Sequence, residues 1–196
     1  MSDRKAQQRG ALVVISGPSG VGKTTIVREA LRRSGAGFSV SATTRRPRQG
    51  EVDGRDYHFV TEAAFRRMIE RGELLEWAEV FGRLYGTPAG PVEQAIAKGR
   101  TMVLDIDVQG ALQVHRKMPQ ATFVLIAPPD EATLSARLRG RGSDSPETIA
   151  SRLAQAKKEL AAARGSGVYN HEIVNDDLEV AIRQVVEIMN QECTQR

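Results

Sequence analysis

Eight consecutive residues, Gly17-Pro18-Ser19-Gly20-Val21-Gly22-Lys23-Thr24, restrict this chain more than any other stretch. They fit the spacing G-x-x-x-x-G-K-[ST]. A short apolar run, Ala11-Leu12-Val13-Val14-Ile15, comes directly before them. Its length and β-branched content predict a buried strand. Directly after comes a helical pattern with Ile26, Val27, Ala30 and Leu31 on one face, stopped by Gly35 and Gly37. The glycines of the turn let successive N–H groups point inward, and with the helix N-terminus they make a cradle for a polyphosphate. Lys23 adds a point charge near the β- and γ-phosphates. Thr24 offers a hydroxyl to Mg²⁺, a hard ion that takes oxygen ligands. The motif alone specifies a nucleoside triphosphate, because GTPases, ATPases and small-molecule kinases share it.

The alternation continues downstream. Pro91 to Lys98 reads as a helix closed by Gly99, and Thr101 to Ile106 as a buried strand. Val108 to Lys117 reads as a helix and Thr122 to Ile126 as a second buried strand. Asp130 caps a helix that runs to about Arg139, and a glycine-rich loop follows. Ser145-Pro146-Glu147 then opens a long helix, with serine as cap, proline in the first turn and an acid on the dipole. Its apolar positions, Ile149, Leu153, Ala156, Leu160 and Ala163, step by four and three. Ile173-Val174 is a last short strand, and Asp176 or Asp177 caps a final helix. Such alternation predicts a parallel sheet covered on both faces.

Residues from about 38 to 87 have a different texture. Short strand-like pieces, Phe38-Ser39-Val40, Tyr57-His58-Phe59-Val60 and Glu76-Trp77-Ala78-Glu79-Val80, surround one helix starting near Thr61. This predicts a small inserted subdomain, with the core at 10–37 and 88–196. Residues 1–9 read as a flexible basic tail.

Composition narrows the class. Hydrophobic residues make up 40% of the 196, enough to bury a core, so disorder is excluded for most of the chain. No apolar run reaches the ~20 residues of a membrane helix, and the polar N-terminus lacks the apolar centre of a signal peptide. One cysteine, Cys193, excludes an internal disulfide or a Cys-based zinc site and fits a cytoplasmic location. The net charge of +4 suggests anionic ligands; nucleic acid is not expected, because the arginines cluster in particular segments.

A small-molecule kinase needs an acceptor pocket, and the insertion concentrates suitable groups. Ser41-Ala42-Thr43-Thr44-Arg45-Arg46-Pro47-Arg48 joins hydroxyls to guanidinium forks that bind phosphate bidentately, and Tyr57 follows. The plain alternative is a solvated basic loop. Asp105-Ile106-Asp107 ends a buried strand at the edge where α/β sheets bind ligands, with both carboxylates on one side. Asp105 reads as the Mg²⁺ group, acting through a water, or as the partner of a lid arginine. Asp107 reads equally as a helix cap, and both uses could hold. Arg137 and Arg141 lie on a helix end and the loop after it, where Gly140 and Gly142 make a pliable segment. Flexible arginines suit a lid that closes on a polyphosphate. No general base is apparent, and a phosphate nucleophile, with a second pKa near ~6, needs none. His58, His115, His171 and Cys193 read as structural or surface residues, and Trp77 and Phe81 as subdomain core.

GPSGVGKTT, FSVSATTRRPRQGEVDGRDYHFV, LLEWAEVFGRLYGTP, VLDIDVQGA, RLRGRG and IVNDDLEVA, in this order and spacing, resemble guanylate kinase across about residues 11–190. The resemblance implies an α/β P-loop NTPase three-layer fold with a parallel sheet, an inserted GMP-binding subdomain at about 38–87 and a mobile lid at about 137–152. It implies transfer of the γ-phosphoryl group of ATP to GMP or dGMP, with Mg²⁺. Residues 17–24 with Thr25, and Asn175 and Asp176 beside the adenine, would bind ATP. Arg45, Arg48, Tyr57 and Tyr85 match the contacts to the GMP phosphate. Ser41, Glu76 and Thr87 match the guanine contacts, with Asp107 nearby. Arg137, Arg141 and Arg152 match the arginines that reach the phosphates and, with Lys23 and Arg45, would carry catalysis.

The chemistry of guanine agrees. Its N1–H and N2–H₂ donors suit one carboxylate, and its O6 suits a hydroxyl, which Glu76, Ser41 and Thr87 supply. Adenine, with an acceptor at N1, would leave that carboxylate unpaired, at a cost of ~1–3 kcal/mol. Two other readings are a non-catalytic module holding a phosphorylated partner, which the complete phosphate loop opposes, and a kinase with another acceptor, which the Ser41, Glu76 and Thr87 set opposes. The oligomeric expectation is open between monomer and homo-oligomer.

Overall fold

The computed structural model describes residues 10–140 and 145–194. The expected basic tail and Arg141 lie outside the described residues, as does the side chain of Cys193.

The run before the glycine-rich turn forms β1 (Leu12–Ser16), wholly buried, and the turn leads into α1 (Lys23–Ser34). The strand sits at the centre of a five-stranded sheet with β2 (Gly37–Phe38), β7 (Met102–Asp105), β8 (Thr122–Ala127) and β9 (His171–Val174), in the order β2-β7-β1-β8-β9. Every pairing in it is parallel. Alternate β1 side chains serve the two faces. Val13 and Ile15 pack with α1, α5 (Glu131–Arg139), α6 (Pro146–Gly165) and α7 (Leu178–Thr194). Leu12 and Val14 pack with α3 (Ala89–Ala97) and α4 (Val108–Lys117). Each fully buried Val, Leu or Ile contributes about 1.5–3 kcal/mol. The result is three layers, helices on sheet on helices.

Caps fall where the polar residues indicate. Asp130 accepts from Thr133 N at 2.6 Å, Ser145 from Thr148 N at 3.3 Å and Asp177 from Val180 N at 2.8 Å. The helix expected from Pro91 begins two residues earlier at Ala89, because Pro88 already stands at its N-cap.

A second sheet of four strands is inserted, in the order β4-β3-β6-β5. It comprises β3 (Ala42–Thr43), β4 (His58–Phe59), β5 (Leu74–Val80) and β6 (Arg83–Pro88). The helix α2 (Glu62–Glu70), capped by Thr61, covers it through Phe65, which packs with Ala42, Leu74 and Leu84. Phe38, assigned from the sequence to the insertion, instead pairs with Val103 in the central sheet. Gly86 permits the tight β5–β6 pairing, since a Cβ there would meet Glu76 O at 2.7 Å. Trp77 and Phe81 do not form the core of this unit. Phe81, at φ 50, stands fully exposed at the hairpin tip, and Trp77 is 38% exposed.

The second sheet is fastened to the first layer system along β5. Gln113 of α4 accepts from Trp77 N at 3.1 Å and donates to Trp77 O at 2.9 Å. Lys117, one turn on, donates to Leu74 O.

Candidate active site between two sheets

The phosphate loop joins β1 to α1, and its backbone shape depends on Gly20 and Gly22, at φ 93 and 88. Gly22 is also the N-cap of α1, so the free N–H groups of the helix open toward the loop. The loop is braced from behind. Asn175, 4% exposed, donates from Nδ2 to Val21 O at 2.7 Å. A Cβ at position 22 would come within 2.6 Å of that Nδ2, which is a second reason for glycine there. Asn175, expected beside the adenine, therefore has its amide engaged with the loop backbone.

Lys23 is held over the strand ends. Its Nζ donates to Ile106 O at 2.7 Å and lies 2.6 Å from Asp105 Oδ1. Asp105, expected at the metal, is thus a partner of Lys23. Asp105 ends β7 beside Ile15 of the adjacent β1, and Lys23 opens the helix that follows the loop.

A cavity of about 440 Å³ opens over the loop, lined by Ser19, Lys23, Thr24 and Thr25 together with Asp107 and Glu159. Beside it, Gly22, Thr25, Arg137, Asn175, Asp176 and Leu178 enclose a smaller cavity of about 220 Å³. Arg137 Nη2 donates to Asn175 O at 2.8 Å, and its Nη1 is buried with no partner among the described residues. Arg152 lies half-buried on α6.

The acceptor side is built on β5 and β6. Glu76 is 7% exposed, and Thr87 Oγ1 donates to its Oε1 at 2.6 Å across the two strands. Burial pushes its carboxyl up to about 7, the Thr87 bond pulls down, and the charge of Asp107 pushes up again. Gly110 of α4 faces the same carboxylate, since a Cβ there would lie 3.1 Å from Glu76 Oε2. Asp107 caps α4, accepting from Gly110 N at 2.7 Å. It therefore adjoins both Glu76 and the phosphate cavity. Ser41, half-buried, stands where the insertion begins, its carbonyl accepting from His58 N at 2.9 Å.

The phosphate-type groups cluster around a residue that sequence reading missed, Glu51. Arg45 grips it with both ends of its fork, at 2.9 and 2.8 Å, and Arg48 N donates to it at 2.7 Å. These bonds hold the Glu51 carboxyl below its ordinary range, Arg45 first. Arg45 also lies over the rings of Tyr57 and Phe59, 5.4 and 5.8 Å from their centres. Tyr57 meets Tyr85 edge-on at 6.1 Å. The Arg48 side chain is exposed. The signal for Glu51 was the acid following three arginines, Arg45, Arg46 and Arg48. Gln113 and Glu159 carried no local signal.

Of the histidines, only His58 adjoins these groups, through its backbone N–H on the Ser41 carbonyl. His115 packs edge-on against Phe123 at 5.4 Å, and His171 is exposed on β9.

Comparison with known proteins follows the geometry. The family model for guanylate kinase matches residues 9–192. A guanylate kinase of Synechocystis sp. is 48% identical over 98% of this chain and 100% of its own length. One of Nocardia farcinica is 52% identical over 92% of this chain and 94% of its own. The crystal structure of guanylate kinase from Anaplasma phagocytophilum superposes with a TM-score of 0.74 at 33% identity, over 96% of this chain and 88% of that one. With a phosphate cradle on one sheet, a buried carboxylate–hydroxyl pair on the other and these matches along nearly its whole length, the chain belongs to the guanylate kinase family.

Proposed function

We propose that the protein transfers the γ-phosphoryl group of ATP to GMP, or dGMP, giving ADP and GDP. The observation that carries this reading is Glu76, a buried carboxylate bonded to Thr87, set beside the Asp107 that also lines the phosphate cavity. In its ionised form Glu76 accepts from guanine N1–H and N2–H₂, and Ser41 supplies a hydroxyl for O6. The acceptor phosphate takes the Arg45 fork from Glu51 and draws on Arg48, Tyr57 and Tyr85. Residues 17–25 hold the donor phosphates, and the smaller cavity at Arg137 and Asp176 suits the donor base.

The donor set fits Mg²⁺. Thr24 brings its hydroxyl to the cavity, with Asp107 and Glu159 also lining it. When bound, Mg²⁺ neutralises charge that develops on the phosphoryl group. Thr24 would hold it directly, and Asp105 would act only through water while it positions Lys23.

In-line transfer asks the chain for position and positive charge. Lys23, fixed by Asp105 and Ile106 O, meets the donor phosphates. Arg137 has a buried donor free for a phosphate oxygen, and Arg152 and Arg141 would complete the lid side. No base is needed, because the acceptor phosphate is already mostly ionised at pH 7, with its second pKa near ~6. A chain of one cysteine acting on free nucleotides fits the cytoplasm. Among the described residues no helix is long and apolar enough to cross a membrane. A coupled assay of ADP release with the five common nucleoside monophosphates tests the reading. Turnover with GMP and dGMP alone is expected; equal turnover with AMP would refute it.

A further inference from the structure

We infer that Glu159 makes the phosphate cradle select metal-bound over metal-free nucleotide, an inference that rests on the nucleotide reading above. Glu159 lies on α6 and lines the same cavity as Ser19, Lys23 and Thr24. Nearly everything else the cradle presents attracts an anion: inward N–H groups, the N-terminus of α1 and the Lys23 ammonium. A carboxylate there has the wrong charge for a bare polyphosphate. Glu159 is held in place, since Gln155, one turn back, donates to its Oε1 at 2.9 Å. It is half-buried, so solvent screens it less than a surface acid. Burial pushes its carboxyl up, the Gln155 bond lowers it, and the Asp107 and Lys23 charges act in opposite directions.

The consequence is electrostatic. A nucleoside diphosphate without metal brings its full negative charge into a cavity that already contains Glu159 and Asp107. The same nucleotide carrying a divalent cation brings two positive charges along, and the repulsion is largely cancelled. Glu159 need not touch the ion to act. Lys23 cannot make this distinction, because it attracts both forms.

The test is the affinity of the full chain for ADP, measured by titration calorimetry with excess Mg²⁺ and again with EDTA. Glu159→Gln is expected to lower the ratio of metal-free to metal-bound Kd by roughly tenfold, chiefly because metal-free ADP binds more tightly. Glu159→Asp, which withdraws the charge by one methylene, is expected to shift the ratio the same way by a smaller factor. An unchanged ratio in either variant, or equal shifts in both Kd values, overturns the proposal. So does an equal shift from Glu70→Gln on exposed α2, which would reduce the effect to net charge. Absence of ADP binding by the unaltered protein in both conditions would instead overturn the nucleotide reading itself.

Discussion

The two halves of the site are prepared by opposite means. The donor cradle is made of backbone, and its braces, Asn175 on Val21 O and Asp105 on Lys23, are internal to the central sheet and its loops. The proposed acceptor pocket is made of side chains bonded to one another: Arg45 paired with Glu51, and Glu76 accepting from Thr87. A backbone site is set once the sheet has folded. A pocket of paired side chains must exchange partners when its ligand arrives, so its affinity is a difference between two sets of bonds. Changes to the cradle should therefore act broadly, and changes to the pocket should act on GMP alone.

The largest effect that would sharpen this contrast is Lys23→Ala. It is expected to lower kcat by ~10²–10³-fold, the range for removing one preorganised transition-state donor. Circular dichroism should show an intact fold, and a kcat within a few-fold of the unaltered protein would break the cradle assignment. Glu76→Gln comes next, with kcat/KM for GMP reduced by ~100-fold and Kd for ATP unchanged, since an amide presents an N–H₂ to the guanine donors. Parallel losses for both substrates would erase the distinction between the halves. Asn175→Ala is expected to weaken ATP binding by ~10-fold through the unbraced loop carbonyl, leaving GMP binding unchanged. The smallest is Gln113→Ala, which frees both backbone groups of Trp77 and should raise KM for GMP by ~3-fold, consistent with one modest hydrogen-bonding contribution. Steady-state kinetics with each substrate varied in turn reads all of these.

The acceptor pocket should also respond to pH through Glu76. Burial raises the Glu76 carboxyl from 4.5 to about 7, so its neutral form is favoured in the folded chain. The stability this gives is fully present below pH 4.5 and is lost as pH rises through about 7. The guanine contact proposed for Glu76 has the opposite sign, because the carboxylate must be ionised to accept from N1–H and N2–H₂. GMP affinity should thus fall as pH drops below about 7 while resistance to urea rises. Glu76→Gln should abolish the urea effect and leave only the shallow dependence from the GMP phosphate, whose pKa is near ~6. Identical pH profiles for the two proteins would remove Glu76 from the pocket.

The contrast also explains what could be read in the chain. The cradle was legible because strand, glycines, Lys23 and helix are contiguous, and the core strands were legible as short apolar runs. β6 was not, because Gly86 and Pro88 interrupt it, although Gly86 is there for the close approach of β5. Phe38 was misassigned because a two-residue edge strand has no period. Trp77 and Phe81 looked like core because bulky apolar residues usually are, yet a hairpin tip has no layer above it. Glu76, Ser41 and Thr87 are distant in sequence, and only the resemblance joined them. Gln113 and Glu159 lie on helix faces where no local pattern sets them apart.

One consequence follows from the pinning of β5 by Gln113. Trp77 is the chain's single indole, next to Glu76 in sequence but on the opposite face of the strand, partly open to water. Its emission therefore carries no background from other tryptophans. Its own peptide groups are bonded to Gln113 at the seam between the two sheets. A rotation of one sheet against the other would alter the surroundings of that indole, and a stopped-flow experiment would read it without a label.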